Sequence, residues 1–282
     1  MIRMIRSRQP SCPPIASPSS AGSRPPALPE WQNLSIRTDV WLASLTEIQQ
    51  VSDTMGCHLT GEELDQASRY RTVTDRKAFE LRRGFLRLVI SAYTSMPPDA
   101  IFFDRSGLQK PKLRGHDDLD FSVSASGHWA AIALTRGRRA GVDIESIVPG
   151  FDFRQIATNY FPSSECESLL EMGTDRAIHE FYAYWTRKEA YLKACGVGLS
   201  GLSPALETPL DSPHPRIGMS KGRNEPLSSW LLSRIDSGPQ LMGTICAEVI
   251  EGYVPEIRTI TSARVMDFFE AFGGTPHVNC RG

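Results

Sequence analysis

No stretch of this sequence approaches the about eighteen consecutive apolar residues that a membrane-crossing helix needs, so a soluble, cytoplasmic protein with no membrane partner is expected. Cysteine is sparse and scattered: Cys12, Cys57, Cys166, Cys195, Cys246 and Cys280 make no CxxC and no run of close spacings. A disulfide framework or a structural zinc site would show one or the other, so free thiols in a reducing compartment are the better reading. The histidines form no HExxH pair, which removes support for a zinc hydrolase. Excess charge is also missing. A formal net charge of -1 gives no basic field for non-specific nucleic-acid binding, and a nucleic-acid module would need a basic surface with stacking aromatics.

What is present suffices for a core. With 40% hydrophobic and 22% charged residues the 282-residue chain reads as an ordinary globular protein, of one large domain or two smaller ones. Residues 1–34 stand apart. They are rich in Pro, Ser and Arg, hold no acid before Glu30, and cannot bury enough apolar surface to offset their ordering entropy. A disordered tail or an upstream start codon is the expectation, and the Arg/Ser-rich, acid-poor character is also that of an organelle transit peptide.

From Asp39 the pattern turns globular. DVWLASL reads as a strand and EELDQASRY as a helix. The clearest helix is DRKAFELRRGFLRLVISAY (75–93), where Ala78, Leu81, Phe85, Leu88, Val89 and Ala92 share one face and Arg76, Arg83 and Arg87 lie opposite, within about 40°. Pro97 and Pro98 end it. After a loop with Gly107 and Pro111 come two β-like runs, 120–135 and AGVDIES (140–146). Helices follow in DFRQIATNYF, in SSECESLLEM and from about Ile178 to Ala194, stopped by Gly196 and Gly198. The stretch 203–227, with five prolines, reads as a loop, and strands 228–235 and 241–250 are joined by the turn Asp236-Ser237-Gly238-Pro239. This order suggests an α+β protein of two similar halves meeting near Gly141, 35–140 and 141–265, with a tail at 266–282.

Two segments carry chemistry. In GVDIE, taken as a strand, Asp143 and Glu145 emerge on one face while Val142 and Ile144 bury into the other. In HEFYAYWTRKEAYLK, taken as a helix, Tyr182, Trp185, Glu189 and Lys193 lie within about 80°. If that stripe faces the strand, three carboxylates converge beside a lysine. Such oxygen ligands suit Mg²⁺, which fills its shell with substrate phosphate oxygens, and the arginine face of 75–93 would hold further phosphates. Each feature also has a plainer account: a solvated strand face, an ordinary i,i+4 Glu–Lys pair and a wet arginine stripe.

GVDIE followed by WTRKEAYLKACGVGL resembles the signature pair of the Sfp-like, monomeric 4′-phosphopantetheinyl transferases, whose pattern is G-[IV]-D-[IVL]-E, some forty residues, then W-[ST]-x-K-E-[AS]-x-x-K and G-x-G-L. The likeness extends over about residues 40–250, through DRKAFELRRGFLR, LQKPKL, FSVSASG and WLLSRI. It implies two similar α+β halves in a pseudo-twofold arrangement, with the active site in the cleft between them. It implies transfer of the phosphopantetheine group of coenzyme A to a serine of an apo acyl or peptidyl carrier protein in fatty-acid, polyketide or nonribosomal-peptide biosynthesis, releasing 3′,5′-adenosine bisphosphate. By this resemblance Asp143, Glu145 and Glu189 would hold Mg²⁺, with Glu189, Lys193 and Glu165 catalytic, while Arg76, Arg83, Lys110 and Ser124 would bind the coenzyme. The chain departs from the pattern in two places: Ala125 stands where a histidine often contacts the coenzyme's phosphates, and Gln109 where a glycine is usual. The competing expectation is a non-catalytic protein of this family that holds coenzyme A or a carrier domain.

Overall fold

The computed structural model describes residues 34, 36–51, 55–104, 110–211, 230–261, 264, 265, 267 and 268. Of the expected tails at 1–34 and 266–282 all but residues 34, 267 and 268 lie outside the described residues, as do Gln109 and most of the proline-rich stretch, from 212 on.

In chain order the elements are β1 (Arg37–Ser44), α1 (Leu45–Val51), α2 (Gly61–Ser68), α3 (Val73–Thr94), β2 (Phe103–Asp104), β3 (Lys112–Leu113), β4 (Leu119–Ser126), β5 (Trp129–Arg136), β6 (Ala140–Ser146), α4 (Arg154–Tyr160), α5 (Ser163–Leu170), α6 (Thr174–Cys195), β7 (Trp230–Arg234), β8 (Leu241–Glu248) and β9 (Glu256–Ile260). The α+β class is as expected. The run 120–135 is a hairpin, because Gly127 takes a left-handed backbone (φ 56°) and turns the chain between β4 and β5. The proline pair does follow α3, but the helix itself stops one step earlier, at Ser95 with φ 59°.

Period-two burial builds the layers. On β1, Trp41 and Ala43 point to the core under α3, whereas Val40 and Leu42 point to a second core shared with the other sheet. The first sheet, ordered β4-β5-β1-β9, therefore lies between α3 and the second sheet, ordered β6-β8-β7. Val142, Ile144 and Ile245 close the shared core, and the outer face of the second sheet takes α6. The result is helix, sheet, sheet, helix.

One element crosses this division. β9 comes from beyond the second sheet yet pairs in parallel with β1, and Val265 and Phe268 enter the core under α3. The first sheet is thus not built from residues 35–140 alone. Asp39, fully buried on β1, locks the returning strand: it accepts from Arg258 at 2.8 and 3.0 Å and from the Tyr93 hydroxyl at 2.7 Å. Breaking a buried charge network of this kind leaves uncompensated charge, which makes the return of β9 part of the fold's stability.

Candidate active site

The two segments singled out in the sequence meet because β6 lies directly on α6. Gly141 makes that contact possible, since a Cβ there would stand 2.0 Å from the Ala190 carbonyl oxygen and 2.4 Å from the Ala194 nitrogen. With backbone touching backbone, the acid face of β6 and the Trp185–Glu189–Lys193 stripe of α6 share one cleft of about 440 Å³. Asp143, Glu145, Trp185, Glu189 and Lys193 line one side of it. Phe79, Arg82, Arg83 and Leu86 of α3 line the other, and Val123, Ser124 and Ala125 of β4 complete the lining, with Ser124 in hydrogen-bond contact with Asp143.

The acid side is held tightly. Asp143 is almost fully buried, and its Oδ1 accepts from Lys193 Nζ at 2.7 Å and from Ser124 Oγ at 2.8 Å. Glu145 Oε2 accepts from Ser126 Oγ at 2.8 Å. Burial raises the pKa of Asp143 and of Glu145 above the ordinary carboxylate range, although Lys193 opposes the rise. Glu189 is pushed up to about 7, first by loss of water and then by the charges of Asp143 and Glu145, with Lys193 acting against both. Two buried oxygens, Asp143 Oδ2 and Glu189 Oε1, have no hydrogen-bond partner. Among the described residues no group of three Asp, Glu, His or Cys side chains is already drawn together as a complete ligand set. The donor chemistry nevertheless fits a hard divalent cation: orphaned, desolvated carboxylate oxygens that hold protons too strongly are groups that a positive charge would satisfy.

Glu189 yields a prediction with a definite sign. The folded protein keeps a proton up to about pH 7 that an unfolded glutamate releases near its ordinary value of 4.5. Its contribution to stability is therefore complete below about pH 4.5 and is lost as pH rises through 7. Denaturation midpoints taken without divalent cations should show Glu189→Gln more stable than wild type near pH 8, the gap closing towards pH 5. A gap independent of pH would contradict the crowding of these carboxylates.

The remaining expected residues are placed as follows. Ser124 and Arg83 line the cleft, but Arg83 also pairs with Glu63 of α2 at 2.9 Å. Arg87, on the same helix face, is buried against Glu63 at 2.8 Å, so much of the arginine stripe is covered by α2 and is not a wet surface. Arg76 is half exposed beside Glu80 and does not line the cleft. Lys110 pairs with Asp120 and donates to the Ala140 carbonyl at 2.6 Å. Burial lowers its pKa, with Asp120 opposing. Glu165 is buried in an ion pair with Lys188 at 2.7 Å and accepts from the Thr208 nitrogen, also at 2.7 Å, so it straps α5 and α6 to the following loop outside the cleft. Ala125 is exposed on the cleft wall.

Sequence reasoning missed Arg82. It lines the cleft and donates to the Gly127 carbonyl at 2.9 Å, bridging α3 to the β4–β5 turn. The only signal was its place in the quoted stretch DRKAFELRRGFLR. The helical-face argument favoured Arg76, Arg83 and Arg87; of these Arg87 is buried against α2, and Arg83 pairs with α2 while still lining the cleft.

Comparison with known proteins extends these observations. A profile described as the 4′-phosphopantetheinyl transferase superfamily matches residues 139–246, and one described as 4′-phosphopantetheinyl transferase, N-terminal, matches residues 41–136. The chain is 31% identical over 181 residues to the 4′-phosphopantetheinyl transferase HetI of Nostoc sp., covering 62% of this chain and 76% of that protein. It is 28% identical over 164 residues to the 4′-phosphopantetheinyl transferase Sfp of Bacillus subtilis, covering 58% and 69%. It is 33% identical over 149 residues to the L-aminoadipate-semialdehyde dehydrogenase-phosphopantetheinyl transferase of Xenopus laevis, spanning about half (49%) of each chain.

Proposed function

We propose, from the premise that the chain belongs to the 4′-phosphopantetheinyl transferase superfamily, that it moves the phosphopantetheine group of coenzyme A onto a serine of an apo carrier protein. One observation carries the reading. Asp143, Glu145, Glu189 and Lys193, drawn from two segments some forty residues apart, line a single cleft that Arg82 and Arg83 close from the opposite wall. A cleft with acids on one side and guanidinium groups on the other suits a cation–pyrophosphate ligand, because the arginines match phosphate oxygens and the acids match the cation.

In the proposed reaction the carrier serine oxygen bonds to the β-phosphorus of coenzyme A. The bond from that phosphorus to the bridging oxygen breaks, and 3′,5′-adenosine bisphosphate leaves. Asp143, Glu145 and Glu189 would hold Mg²⁺, which when bound neutralises pyrophosphate charge. Arg82 and Arg83 would orient the phosphates. Lys193 has spent two of its three N–H groups on Asp143 and Ser124, and the third remains to meet the leaving oxygen. Glu189, in the cleft, is better placed than Glu165 to accept the serine proton, since Glu165 is committed to Lys188.

We also propose that it acts as a monomer in the cytoplasm; among the described residues no helix is long and apolar enough to cross a membrane. The single 22-residue helix on the outer face of each sheet supports a pseudo-twofold relation between the halves. The non-catalytic reading is not favoured, because all four motif side chains reach the cleft. The test is direct: purified protein, coenzyme A, Mg²⁺ and a panel of apo carrier proteins are mixed and the carriers weighed by mass spectrometry. A phosphopantetheine adduct on the carrier serine is expected, and its absence from every fatty-acid, polyketide and peptide carrier would overturn the assignment.

A further inference from the structure

β4 and β6 are edge strands of different sheets, and no main-chain ladder joins them. Four nitrogens of β6 nevertheless find partners on β4, at a constant offset of twenty residues. Ala140 N donates to Asp120 Oδ2 (2.8 Å), Val142 N to Ser122 Oγ (3.1 Å), Ile144 N to Ser124 Oγ (3.3 Å) and Ser146 N to Ser126 Oγ (2.9 Å). The Ser146 hydroxyl answers by donating to the Ser126 carbonyl at 3.3 Å. Every second side chain of β4 thus stands in for the main-chain carbonyls that a neighbouring strand would have offered. An edge whose N–H groups would otherwise be unpaired is stitched to the other sheet.

Two rungs of this ladder do more. A serine hydroxyl has one proton and two lone pairs. Ser124 gives its proton to Asp143 and accepts from Ile144 N and Lys193 Nζ, so its capacity is filled by protein. Ser126 gives its proton to Glu145 and accepts from Ser146 N. In each case one oxygen atom is bonded both to the backbone beside a carboxylate and to that carboxylate. The position of β6 and the direction of its acids are therefore set by the same atoms. The other oxygen of Asp143 is left free and buried.

We propose that Ser124 and Ser126 are positioning residues of the site. Their hydroxyls aim Asp143 and Glu145 at the divalent cation. Only the cation's involvement rests on the functional reading above; the ladder itself does not.

Ser126 is the better probe because it does not touch Lys193. Mn²⁺ alone, followed by its electron paramagnetic resonance signal, serves as the cation, and amide hydrogen exchange reports the ladder. Ser126→Ala should expose the Ser146 amide to exchange and weaken Mn²⁺ binding roughly tenfold, in line with the loss of a group that orients a metal ligand. Ser126→Thr, which keeps the hydroxyl, should restore both. Ser122→Ala removes a rung that touches no carboxylate, so it should expose the Val142 amide and leave Mn²⁺ affinity unchanged. In the carrier assay Ser126→Ala should raise the Mg²⁺ concentration needed for half-maximal rate by a similar factor, with kcat at saturating Mg²⁺ within about twofold of wild type. Equal Mn²⁺ affinity in wild type and Ser126→Ala, or equal weakening by Ser122→Ala, would overturn the proposal. If no carrier is modified while the Mn²⁺ and exchange results hold, the functional reading fails and the positioning role stands.

Discussion

Gly141→Ala is expected to lower stability by on the order of 4 kcal/mol and to abolish carrier modification. The added methyl would stand 2.0 Å from the Ala190 carbonyl oxygen and 2.4 Å from the Ala194 nitrogen, and both are main-chain atoms of the long helix α6. A flexible side chain could swing aside, but helix backbone can only translate. Buried Ala190 and Ala194 already pack without slack in that interface, so moving α6 outward would open the core behind them. Such a shift also carries Glu189 and Lys193 away from Asp143, and a displacement of about 1 Å at a reacting centre costs roughly a hundredfold in rate. The two losses are alternatives to a degree: a protein that yields by shifting α6 keeps more stability and loses the site. Denaturant unfolding with the carrier assay measures both. A variant near wild type in each would show that the contact between β6 and α6 is looser than described.

Asp143→Asn should separate stability from chemistry. Transfer is expected to fall by about 10²–10³-fold, the loss usual for one electrostatic group at a reacting centre. The unfolding midpoint without divalent cations should stay level or rise. Burial raises the pKa of Asp143 more than Lys193 lowers it, so without a divalent cation the ionised carboxylate is strained, and the neutral isostere relieves that strain. Lys193 loses its counter-charge but is partly exposed, and water can solvate it. A drop in stability matching the loss of activity would mean instead that Asp143 is a structural ion-pair member.

The sequence determined a good deal by itself. Strict alternation in GVDIE put Asp143 and Glu145 opposite Val142 and Ile144, and the structure places the apolar pair in the core between the sheets and the acids in the cleft. Helical periodicity put Tyr182, Trp185, Glu189 and Lys193 on one stripe; the last three reach the cleft, whereas Tyr182 packs into the core beside Phe181. Both results are local: they depend on the geometry of a single strand or helix, which neighbouring residues fix. Two segments matching one family's pattern then gave the family.

Partnership between distant segments was decided only by the tertiary structure. Lys110 and Glu165 have the residue types of binding and catalytic groups, yet Asp120 and Lys188 engage them, and neither pairing leaves a periodic trace. Arg82 was passed over because helical geometry ranks faces without saying which face another helix will cover. β9 joins a strand more than two hundred residues earlier, since parallel pairing is set by which edge is open and not by proximity in the chain. The serines of FSVSASG follow the same rule. Alternation shows that Ser122, Ser124 and Ser126 share a side of β4, but only the second sheet, brought to within hydrogen-bond reach of that side, makes them rungs.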